Sequence, residues 1–410
     1  MSDDILLKRR DFLVASGAAA LALGLGAGRG AFAAEATFRV GALNPVTGAG
    51  SPYGPGMQKI ILAAADEVNQ AGGAGGRKIE VFAEDGQTSP EAAVLAAKKL
   101  IEVNKVQAIL GTWASGVTLA VMPLTDAANL IEMNTSGAPA ITQLNKKKLE
   151  FRYQATNNQF GAAFAKICQK RGYKRPATMA FNNASGIGNA EGFAKAWQAM
   201  GGKVYASVVY EPNQASYRAE VDKVLAAKPD VIVTGSYLPD TTIILREWWQ
   251  TGAKNAWILP GWAANPDLVK ALGNEVTEGL ISVDTIPNED SAAFKHFDAL
   301  YRKTMGGPGS ANLYAAMAYD MVIVLALAME VAGPTATPPE IAAKVWTIAN
   351  PPGKTVATFA EGKAALKQGK IKYEGASSKL DFTPEGDPTP TFGVSVIEGG
   401  KFVRRDVVSL

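Results

Sequence analysis

The amino-acid sequence predicts an α/β protein with two domains, each built on a parallel sheet covered by helices on both faces. From Thr37 onward, short apolar runs alternate with amphipathic stretches. The apolar runs are nearly continuous, which is typical of strands that are buried on both sides of a parallel sheet. Ten such runs are too many for one ordinary sheet, and a chain of 410 residues is long enough for two domains.

Each strand candidate is a short apolar run, and a helical pattern follows most of them. In chain order the candidates are FRVGAL, KIEVFAED, VQAILGT, LIEMNT, FRYQA, ATMAFNN, KVYASVVY, DVIVTGS, AWILPG and GLISVD. Helical periodicity marks the stretches between them, for example GMQKIILAAADEVNQ, SPEAAVLAAKKLIEVN and YRAEVDKVLAAK. Many of these helices stop at a glycine, as expected where the residue after the helix takes a left-handed conformation.

Two interruptions of this pattern predict the domain limits. The strand–helix series restarts near Thr156 and is interrupted again over residues 284–288. The later helix NLYAAMAYDMVIVLALAMEVAG is apolar enough to suggest a membrane span, but Asp320 and its polar start favour a buried core helix. The tail from Gly369 has short β runs between turn residues, and EGGKF predicts a hairpin turn.

The first 34 residues have the pattern of a signal peptide. Lys8, Arg9 and Arg10 precede an apolar run, and residues 31–34 supply small side chains for cleavage. The arginine pair before the run resembles a twin-arginine signal. A membrane anchor is the alternative, although the run is rich in Ala and Gly and barely long enough to span. We therefore expect export to the periplasm with removal of residues 1–34.

Composition excludes several classes of function. The 41 Lys and Arg nearly balance the 38 Asp and Glu, so there is no electrostatic case for binding nucleic acid. The one cysteine, Cys168, cannot form an intrachain disulfide, and its helical pattern predicts core packing. The one histidine, His296, falls off the apolar stripe of its helix and is expected to be solvated. Zinc sites and His-dependent catalysis are therefore not expected.

The candidate enzyme motifs are weak. In NNASGIGNAEGF the glycines at 186, 188 and 192 are spaced one residue too far apart for the dinucleotide fingerprint. NPVTGAGSPYGPG lacks the Lys of a P-loop, and no G-x-S-x-G elbow follows a strand. Glu84 and Asp85 are neighbours on a strand and so point to opposite faces. We expect no catalytic residues and no cofactor, with a secreted enzyme as an alternative.

Binding residues are expected where the strands end, because ligands of open parallel sheets bind beyond the carboxyl ends of the strands. The segments at these ends carry hydroxyls, backbone amides and aromatic rings. They are Tyr53; Thr112, Trp113, Ala114 and Ser115; Thr135, Ser136, Gly137 and Ala138; Asn182 to Ile187; Ser236 and Tyr237; and Gly261 and Trp262. They include no nucleophile–base pair, so the pattern indicates binding without chemistry.

Ser115 begins a helix, whose free N–H groups and positive dipole end favour an anion. Its hydroxyl can add one donor to a ligand carboxylate, or it can merely cap its own helix. Several similar strand ends together favour the binding role, and Trp113 and Trp262 would add ring contacts if they face a cleft. We expect Ser115→Ala to weaken binding by about 1–3 kcal/mol with little loss of stability.

The chain after residue 34 resembles the periplasmic substrate-binding proteins of ABC importers for branched-chain amino acids, amides and related solutes. The resemblance rests on FRVGALNPVTGAGSPYG, ADEVNQAGGAGGRKIEVFAED, QAILGTWASG, DVIVTGSYLPD, NPDLVKALG and DFTPEGDPTPTFGVSVIEGGKF. It implies the type I periplasmic binding fold, with two Rossmann-like lobes that have parallel central sheets and are joined by a three-crossing hinge. Lobe I would comprise residues 35–155 and 286–368, and lobe II residues 156–285 and 369–410.

The resemblance also implies a function. The protein would be a monomer that closes its hinge on a small carboxylate-bearing solute, an amino acid or an organic acid, and delivers it to the permease of an ABC importer. Ser115, Ser136 and Ala138 would meet the carboxylate, while Tyr53 and Tyr237 would contact the solute from the two lobes. A ligand sensor that signals to a membrane receptor is the alternative on the same scaffold.

Two positions depart from the family pattern. Ile187 stands where the second-lobe loop often has a tyrosine, and the place of an acid that pairs with a ligand ammonium falls at Gly261 or Trp262. A buried ammonium without a partner costs several kcal/mol, unless Asp240 or Glu84 supplies the charge. We therefore expect a carboxylate that lacks an amine, and the tryptophans at the strand ends favour an aromatic one.

Overall fold

The structure, a computed structural model, describes residues 37–410. The predicted signal peptide, residues 1–34, lies outside the described residues. Strands and helices alternate as the sequence predicts, and all ten predicted strands form. The strands are β1 (Thr37–Asn44), β2 (Lys78–Asp85), β3 (Ala108–Thr112), β4 (Ile131–Asn134), β5 (Glu150–Arg152), β6 (Pro176–Phe181), β7 (Ser207–Tyr210), β8 (Val231–Gly235), β9 (Ala256–Pro260), β10 (Ile281–Thr285), β11 (Lys354–Val356), β12 (Ile371–Tyr373), β13 (Thr391–Glu398) and β14 (Lys401–Ser409).

Helices occupy most of the stretches between the strands. They are α1 (Gly54–Gln70), α2 (Pro90–Lys98), α3 (Ser115–Ala128), α4 (Pro139–Leu144), α5 (Asn157–Arg171), α6 (Ala184–Ala199), α7 (Arg218–Ala226), α8 (Leu238–Gln250), α9 (Pro266–Leu272), α10 (Asn274–Thr277), α11 (Ala292–Met305), α12 (Leu313–Ala332), α13 (Pro338–Ala342), α14 (Val345–Ala349) and α15 (Phe359–Leu366). Local signals set their ends. Thr156, where the sequence pattern restarts, forms a capping box with Gln159 at the start of α5, and Gly172 ends that helix in a left-handed conformation.

The first sheet has five parallel strands in the order β2-β1-β3-β4-β5. The second sheet has the order β14-β13-β10-β9-β8-β6-β7. Its strands β7-β6-β8-β9-β10 are also parallel, so each sheet contains five strands that follow the same 2-1-3-4-5 order. This order reverses direction between the first and third strand of each set. Such a reversal opens a crevice at the carboxyl ends of the strands.

The chain passes between the two sheets three times. The passages join β5 to α5, β10 to α11, and β12 to β13. Helices α11 and α12 pack on α1, beside the first sheet, and α5 packs against α6 and β14 of the second. The α/β fold with parallel sheets that the sequence predicts is confirmed.

The C-terminal tail completes the second sheet with antiparallel strands. β13 pairs antiparallel with β10, and β14 pairs antiparallel with β13 around the turn at Gly399 and Gly400. Both glycines have positive φ, at 56° and 78°, which a tight hairpin turn requires. The predicted hairpin at EGGKF is therefore confirmed.

Helix α12 is the central helix of the core. Every residue from Tyr314 to Met329 is buried, including the carboxyl of Asp320. That carboxyl accepts hydrogen bonds from Tyr373 and from the backbone and hydroxyl of Ser377, which satisfies its burial. Among residues 37–410, this helix alone has the length and apolar content of a membrane span, and it is packed inside the protein. The prediction of a buried core helix is confirmed.

The two residues that occur once in the sequence have different outcomes. Cys168 is buried on α5, as predicted from its helical face. His296 is partly exposed, as its place off the apolar stripe predicts, but its Nε2 also lies 3.0 Å from a carboxylate oxygen of Glu67 on α1. Helical periodicity predicted the exposure and did not show this partner on another helix.

Candidate functional site

The two crevices at the carboxyl ends of the sheets face each other across one cavity. Its volume is about 20 Å³, which is room for a water or two. The lining comes from both sheets, from the first passage between them and from α12. The lining residues are Trp113, Thr135, Gly137, Gln154, Ala155, Ser185, Tyr237, Trp262 and Tyr314. Of the residues predicted from the sequence as ligand-binding, Trp113, Tyr237 and Trp262 are in this lining.

Aromatic rings fill most of the space between the two sheets. The ring of Trp113 lies 5.2 Å from that of Tyr237 and 5.8 Å from that of Tyr314, between centroids. Tyr53 lies 5.9 Å from Trp113 and 4.9 Å from Tyr314. The exposed fractions of Trp113, Tyr237 and Trp262 are only 6%, 7% and 6%, so these rings face one another and not bulk water. Each such ring pair adds about 0.5–1.5 kcal/mol beyond burial.

Tyr53 makes the hydrogen bonds that join the two sides of the cleft. Its hydroxyl accepts from the side-chain amide of Asn265 at 2.8 Å and lies 3.4 Å from the carbonyl oxygen of Trp262, to which it donates. Burial raises the pKa of the Tyr53 hydroxyl far above its usual value, although the Asn265 bond opposes this. The hydroxyl is therefore neutral and able to donate at physiological pH.

The second-sheet ring Tyr237 is held in the same way. Burial raises the pKa of Tyr237 to about 12, while hydrogen bonds with Asn183 and Ser185 act in the opposite direction. Tyr237 precedes α8, and its backbone carbonyl accepts the hydroxyl of Thr241. Tyr237 is thus held at the cavity wall both by its side-chain hydroxyl and by its backbone carbonyl.

Ser115 has a different place from the one expected. It is the first residue of α3, and its Oγ accepts hydrogen bonds from the amides of Gly137 at 3.2 Å and Ala138 at 3.0 Å. It makes no side-chain cap on its own helix, for which Ala114 is the N-cap residue. The hydroxyl therefore supports the loop before α4, and only its hydrogen remains to donate elsewhere.

Ser136 and Ala138 belong to that supported loop and do not line the cavity. The Ser136 hydroxyl donates to the carbonyl of Trp113 at 2.9 Å and lies 2.6 Å from the Thr118 hydroxyl. The Ala138 amide donates to the hydroxyl oxygen of Ser115. Both groups are bonded to other parts of the protein in this arrangement, and their contact with a carboxylate stays a prediction. Gly137 and Thr135 are the residues of this loop that reach the cavity.

Arg152 binds the backbone carbonyls of the same loop. Its guanidinium is 1% exposed, lies 2.7 Å from a carboxylate oxygen of Asp387, and donates to the carbonyls of Ser136 and Ala138 at 2.5 and 3.1 Å. It also donates to the hydroxyl of Thr142 at 3.0 Å. Because both carbonyls point to Arg152, the arginine fixes the conformation of the loop between them. Nothing in the local sequence pattern around Arg152 indicated this role.

The two remaining predicted positions lie outside the lining. Ile187 is on α6, one turn beyond the N-cap, and Ser185 takes the place expected for it. Ala114 lines a separate cavity of about 10 Å³ with Pro45 and Thr88. Side chains two residues apart on a helix point in different directions, which the sequence pattern alone did not resolve.

The structure also places a carboxyl where the sequence suggested that none would be. Asp284, at the end of β10, packs directly against Gly261, so that a Cβ on Gly261 would collide with the Asp284 carboxyl. One carboxylate oxygen accepts from the Thr285 amide at 2.8 Å and from the Gln154 side chain at 3.5 Å. Burial raises the pKa of Asp284 to about 7, and these two hydrogen bonds oppose the shift.

The expectation of a solute that lacks an amine rested on positions 261 and 262, neither of which is acidic. Asp284, on the neighbouring strand β10, supplies a carboxyl beside Gly261. The two acids considered as substitutes are engaged elsewhere. Asp240 accepts from the Tyr217 hydroxyl at 2.6 Å, and Glu84 pairs with Lys99 at 2.5 Å.

A larger cavity of about 380 Å³ lies beside the three passages, on residues such as Ile286, Met317 and Pro390. Two polar side chains of its lining, Ser377 and Asn288, are bonded within the protein. The hydroxyl of Ser377 donates to Asp320, and the amide of Asn288 donates to Glu374 and to the carbonyl of Gly375. The small cavity has the stronger case as a ligand site, because it lies at the carboxyl ends of both sheets.

Two similar α/β units whose crevices face one cavity, with rings and hydroxyls around it, define a two-lobed solute-binding protein. The sequence model described as "periplasmic binding protein" matches residues 37–398, and the chain belongs to this family. Its fold is the type I periplasmic binding fold, which it shares with the leucine-binding protein LivK and the branched-chain amino acid transporter substrate binding protein LivJ.

Individual relatives are distant but span the chain. The Leu/Ile/Val-binding protein BraC3 of Rhizobium johnstonii is 26% identical over 378 residues, covering 91% of this chain and 95% of the relative. The leucine-binding protein LivK of Thermotoga maritima is 23% identical, with a TM-score of 0.78, over 91% of this chain and 99% of the other. A solute-binding protein of an ABC transporter from R. palustris, solved in complex with benzoate, is 22% identical, with a TM-score of 0.72, over 91% and 96%.

Proposed function

We propose that this protein is an exported receptor that binds a small carboxylate-bearing solute and delivers it to the permease of an ABC importer. The observation that carries the proposal is the cavity at the facing crevices of the two sheets, walled by Trp113, Tyr237 and Trp262. Family membership supports the binding role. The relatives include a Leu/Ile/Val-binding protein and a neighbour solved with benzoate, and both of these solutes are small carboxylates.

We further propose that binding proceeds by hinge closure of two lobes, residues 35–155 with 286–368 and residues 156–285 with 369–410. A cavity of about 20 Å³ is far smaller than the ~300 Å³ or more of ordinary ligand pockets. A solute enters only if the rings that meet across the cleft separate. The three passages between the sheets are the natural pivot, because few residues there absorb the change in backbone angles.

The carboxylate end of the solute would lie near the loop of residues 135–138. The lining residues there are Thr135 and Gly137, and Ser185 of α6 also lines the cavity. Ser115 and Arg152 hold this loop, so its donors are fixed before the solute arrives and binding orders little. The rings of Trp113, Tyr237 and Trp262 would enclose the apolar part of the solute.

The proposed role is binding without catalysis. Titratable groups in the cavity lining or in contact with it include Tyr53, Tyr237 and Tyr314, whose hydroxyl pKa values burial raises, and the carboxyl of Asp284. A tyrosine with a raised pKa is a poor base and a poor nucleophile at neutral pH. The tyrosine hydroxyls serve as neutral hydrogen-bond donors and acceptors around a solute.

Mass spectrometry of small molecules released from the purified protein tests the proposal directly, followed by calorimetry with the acids found. A dissociation constant in the micromolar range corresponds to about −8 kcal/mol. Trp113→Phe should weaken binding by about 2- to 10-fold through lost ring contact. Trp249→Phe is the matched control, because Trp249 lies on α8 beside Trp248, outside the cavity lining. Tight binding of a solute without a carboxylate would overturn the proposal.

Uptake separates transport from sensing. Deletion of the gene for this protein should abolish high-affinity uptake of the identified solute if an ABC permease is the partner. If the deletion strain takes up the solute normally but no longer shows chemotaxis towards it, the partner is a sensing receptor in the membrane. Both outcomes leave the binding role intact and concern only the partner.

A further inference from the structure

We propose that Asp284 makes the site selective for acids that carry a second polar group, a hydroxyl or an ammonium, which donates a hydrogen bond to the Asp284 carboxylate. This inference rests on the proposed function, since it names the solute class of the same cavity. The shared chemistry is an O–H or N–H donor on a carboxylic acid. The experiment below separates the two sources of that donor.

The position of the carboxyl is built into two neighbouring strands. Gly261 follows β9 and Asp284 lies in β10, which pairs with β9 in parallel. The Asp284 carboxyl occupies the space into which any side chain at position 261 would extend. Glycine at 261 thus keeps this space open for the carboxyl, next to Trp262 of the cavity lining.

One oxygen of this carboxyl has no hydrogen-bond donor among residues 37–410. The bonds from Thr285 and Gln154 both go to Oδ1, and no Lys or Arg pairs with Asp284 within the same residues. A carboxylate oxygen in a partly buried position normally has a donor, because loss of water without replacement is costly. The free Oδ2 is therefore the atom that an incoming donor would satisfy.

Asp284 lies outside the cavity lining, and Gln154 is the lining residue that contacts its carboxyl. The Gln154 side-chain amide, which lines the cavity, lies 3.5 Å from Asp284 Oδ1 and 3.4 Å from the Tyr314 hydroxyl. Both hydrogen bonds are long and therefore weak. A stronger donor on a solute can replace them at little cost. The carboxyl of Asp284 thus forms the second polar end of the site, apart from the loop of residues 135–138.

Matched acids test this selectivity by calorimetry. The first pair is 4-hydroxybenzoate and benzoate, and the second is phenylalanine and 3-phenylpropionate; each pair differs only in the second donor. We expect the wild-type protein to prefer the donor-bearing member of at least one pair by about tenfold or more. The pair that shows the preference tells whether the donor is a hydroxyl or an ammonium.

Two variants assign the preference to Asp284. Asp284→Asn removes the charge and should reduce the preference at least about fivefold. Gly261→Ala should do the same while Asp284 is retained, because the new Cβ displaces the carboxyl. Asp290→Asn is the control, since Asp290 is exposed, and it should keep the wild-type ratio. Thermal unfolding of each variant confirms that it is folded.

The outcomes separate this inference from the proposed function. If the wild-type protein binds the acids but treats both members of each pair alike, or if Asp284→Asn and Gly261→Ala leave the ratio unchanged, the role of Asp284 is overturned and the receptor role stands. If the wild-type protein binds no carboxylic acid of any kind, including those that co-purify with it, the proposed function fails and this inference falls with it.

Discussion

The side-chain amide of Asn265 donates a hydrogen bond to the hydroxyl of Tyr53 at 2.8 Å, between residues 212 positions apart in the chain. Tyr53 precedes α1 beside the first sheet, whereas Asn265 caps α9 beside the second. The bond therefore joins the two sides of the cleft directly. Together with the Trp113–Tyr237 ring contact, it would stabilise the closed arrangement of the proposed hinge motion.

Tyr53→Phe removes this bond and the bond to the Trp262 carbonyl while it keeps the ring. The 3.4 Å bond to Trp262 is weak, so the loss is mainly that of one hydrogen bond, about 0.5–1.5 kcal/mol. The closed arrangement should therefore become about 2- to 10-fold less populated relative to the open one. Small-angle scattering without added solute should show a larger radius of gyration for Tyr53→Phe. Tyr205→Phe, at an exposed tyrosine that stacks on Arg175, should scatter like the wild type. Identical scattering curves for all three proteins would show that the Tyr53 hydrogen bonds do not stabilise the closed arrangement.

Ser115→Ala should lower both stability and affinity. The substitution leaves the amides of Gly137 and Ala138 without their acceptor, which costs about 1–3 kcal/mol in the free energy of unfolding. This differs from the expectation drawn from the sequence, in which stability changed little. Urea unfolding measures the first effect and calorimetry with the co-purifying acid the second. Ser51→Ala, at an exposed serine, is the control, and an equal stability of the two variants would contradict the loop-supporting role.

Arg152→Lys should destabilise the protein by roughly 2–3 kcal/mol, because lysine cannot serve the Asp387 carboxylate and two loop carbonyls at the same time. Urea unfolding measures this change. The affinity for the solute should fall as well, since the loop loses its fixed conformation. Arg218→Lys, in an exposed pair with Asp222 on α7, should stay within about 0.5 kcal/mol of the wild type. Similar changes in the two variants would argue against a special role for Arg152.

Glu132→Gln should make stability less dependent on pH. Burial raises the pKa of the Glu132 carboxyl well above its ordinary 4.5, although hydrogen bonds from Thr125 and Thr112 oppose this. Burial and the charge of Glu132 also raise the pKa of the neighbouring Glu150 carboxyl. A group whose pKa is raised on folding favours the folded state fully only below its unfolded pKa. This contribution is lost as the pH rises through the folded pKa.

The window for this effect therefore opens near pH 4.5 and extends upward. Within it, the free energy of unfolding of the wild type should fall more steeply with pH than that of Glu132→Gln, by up to about 1.4 kcal/mol per pH unit. Urea unfolding between pH 5 and pH 8 checks this. Glu102→Gln, at an exposed glutamate, should keep the wild-type slope. Parallel curves for Glu132→Gln and the wild type would show that Glu132 is ionised in the folded protein.

Local sequence signals predicted the strands, the helices and the positions where strands end. The ten predicted apolar runs form the strands from β1 to β10. Trp113, Tyr237 and Trp262, which were predicted because they follow strand ends, line one cavity. These predictions succeed because backbone periodicity and the direction of parallel strands follow from nearby residues alone. The resemblance to periplasmic binding proteins was confirmed by the family match.

The same signals did not reveal which polar groups pair with one another. Ser115 and Ala138 meet through the packing of α3 against α4, and His296 meets Glu67 through the packing of α11 on α1. Ile187 and Ser185 lie two residues apart, and the orientation of α6 determined which of them faces the cavity. Such pairings depend on how whole elements pack, which a local pattern does not contain.

The sequence by itself determined an α/β chain with two sets of parallel strands and with rings and hydroxyls at their carboxyl ends. Only the tertiary structure decided that Asp284, which packs against Gly261, meets the cavity-lining Gln154 from 130 residues away. The physical reason is that strand and helix formation depends on neighbours along the chain. A carboxyl at a cleft, in contrast, is positioned by the three passages that fold distant segments against each other.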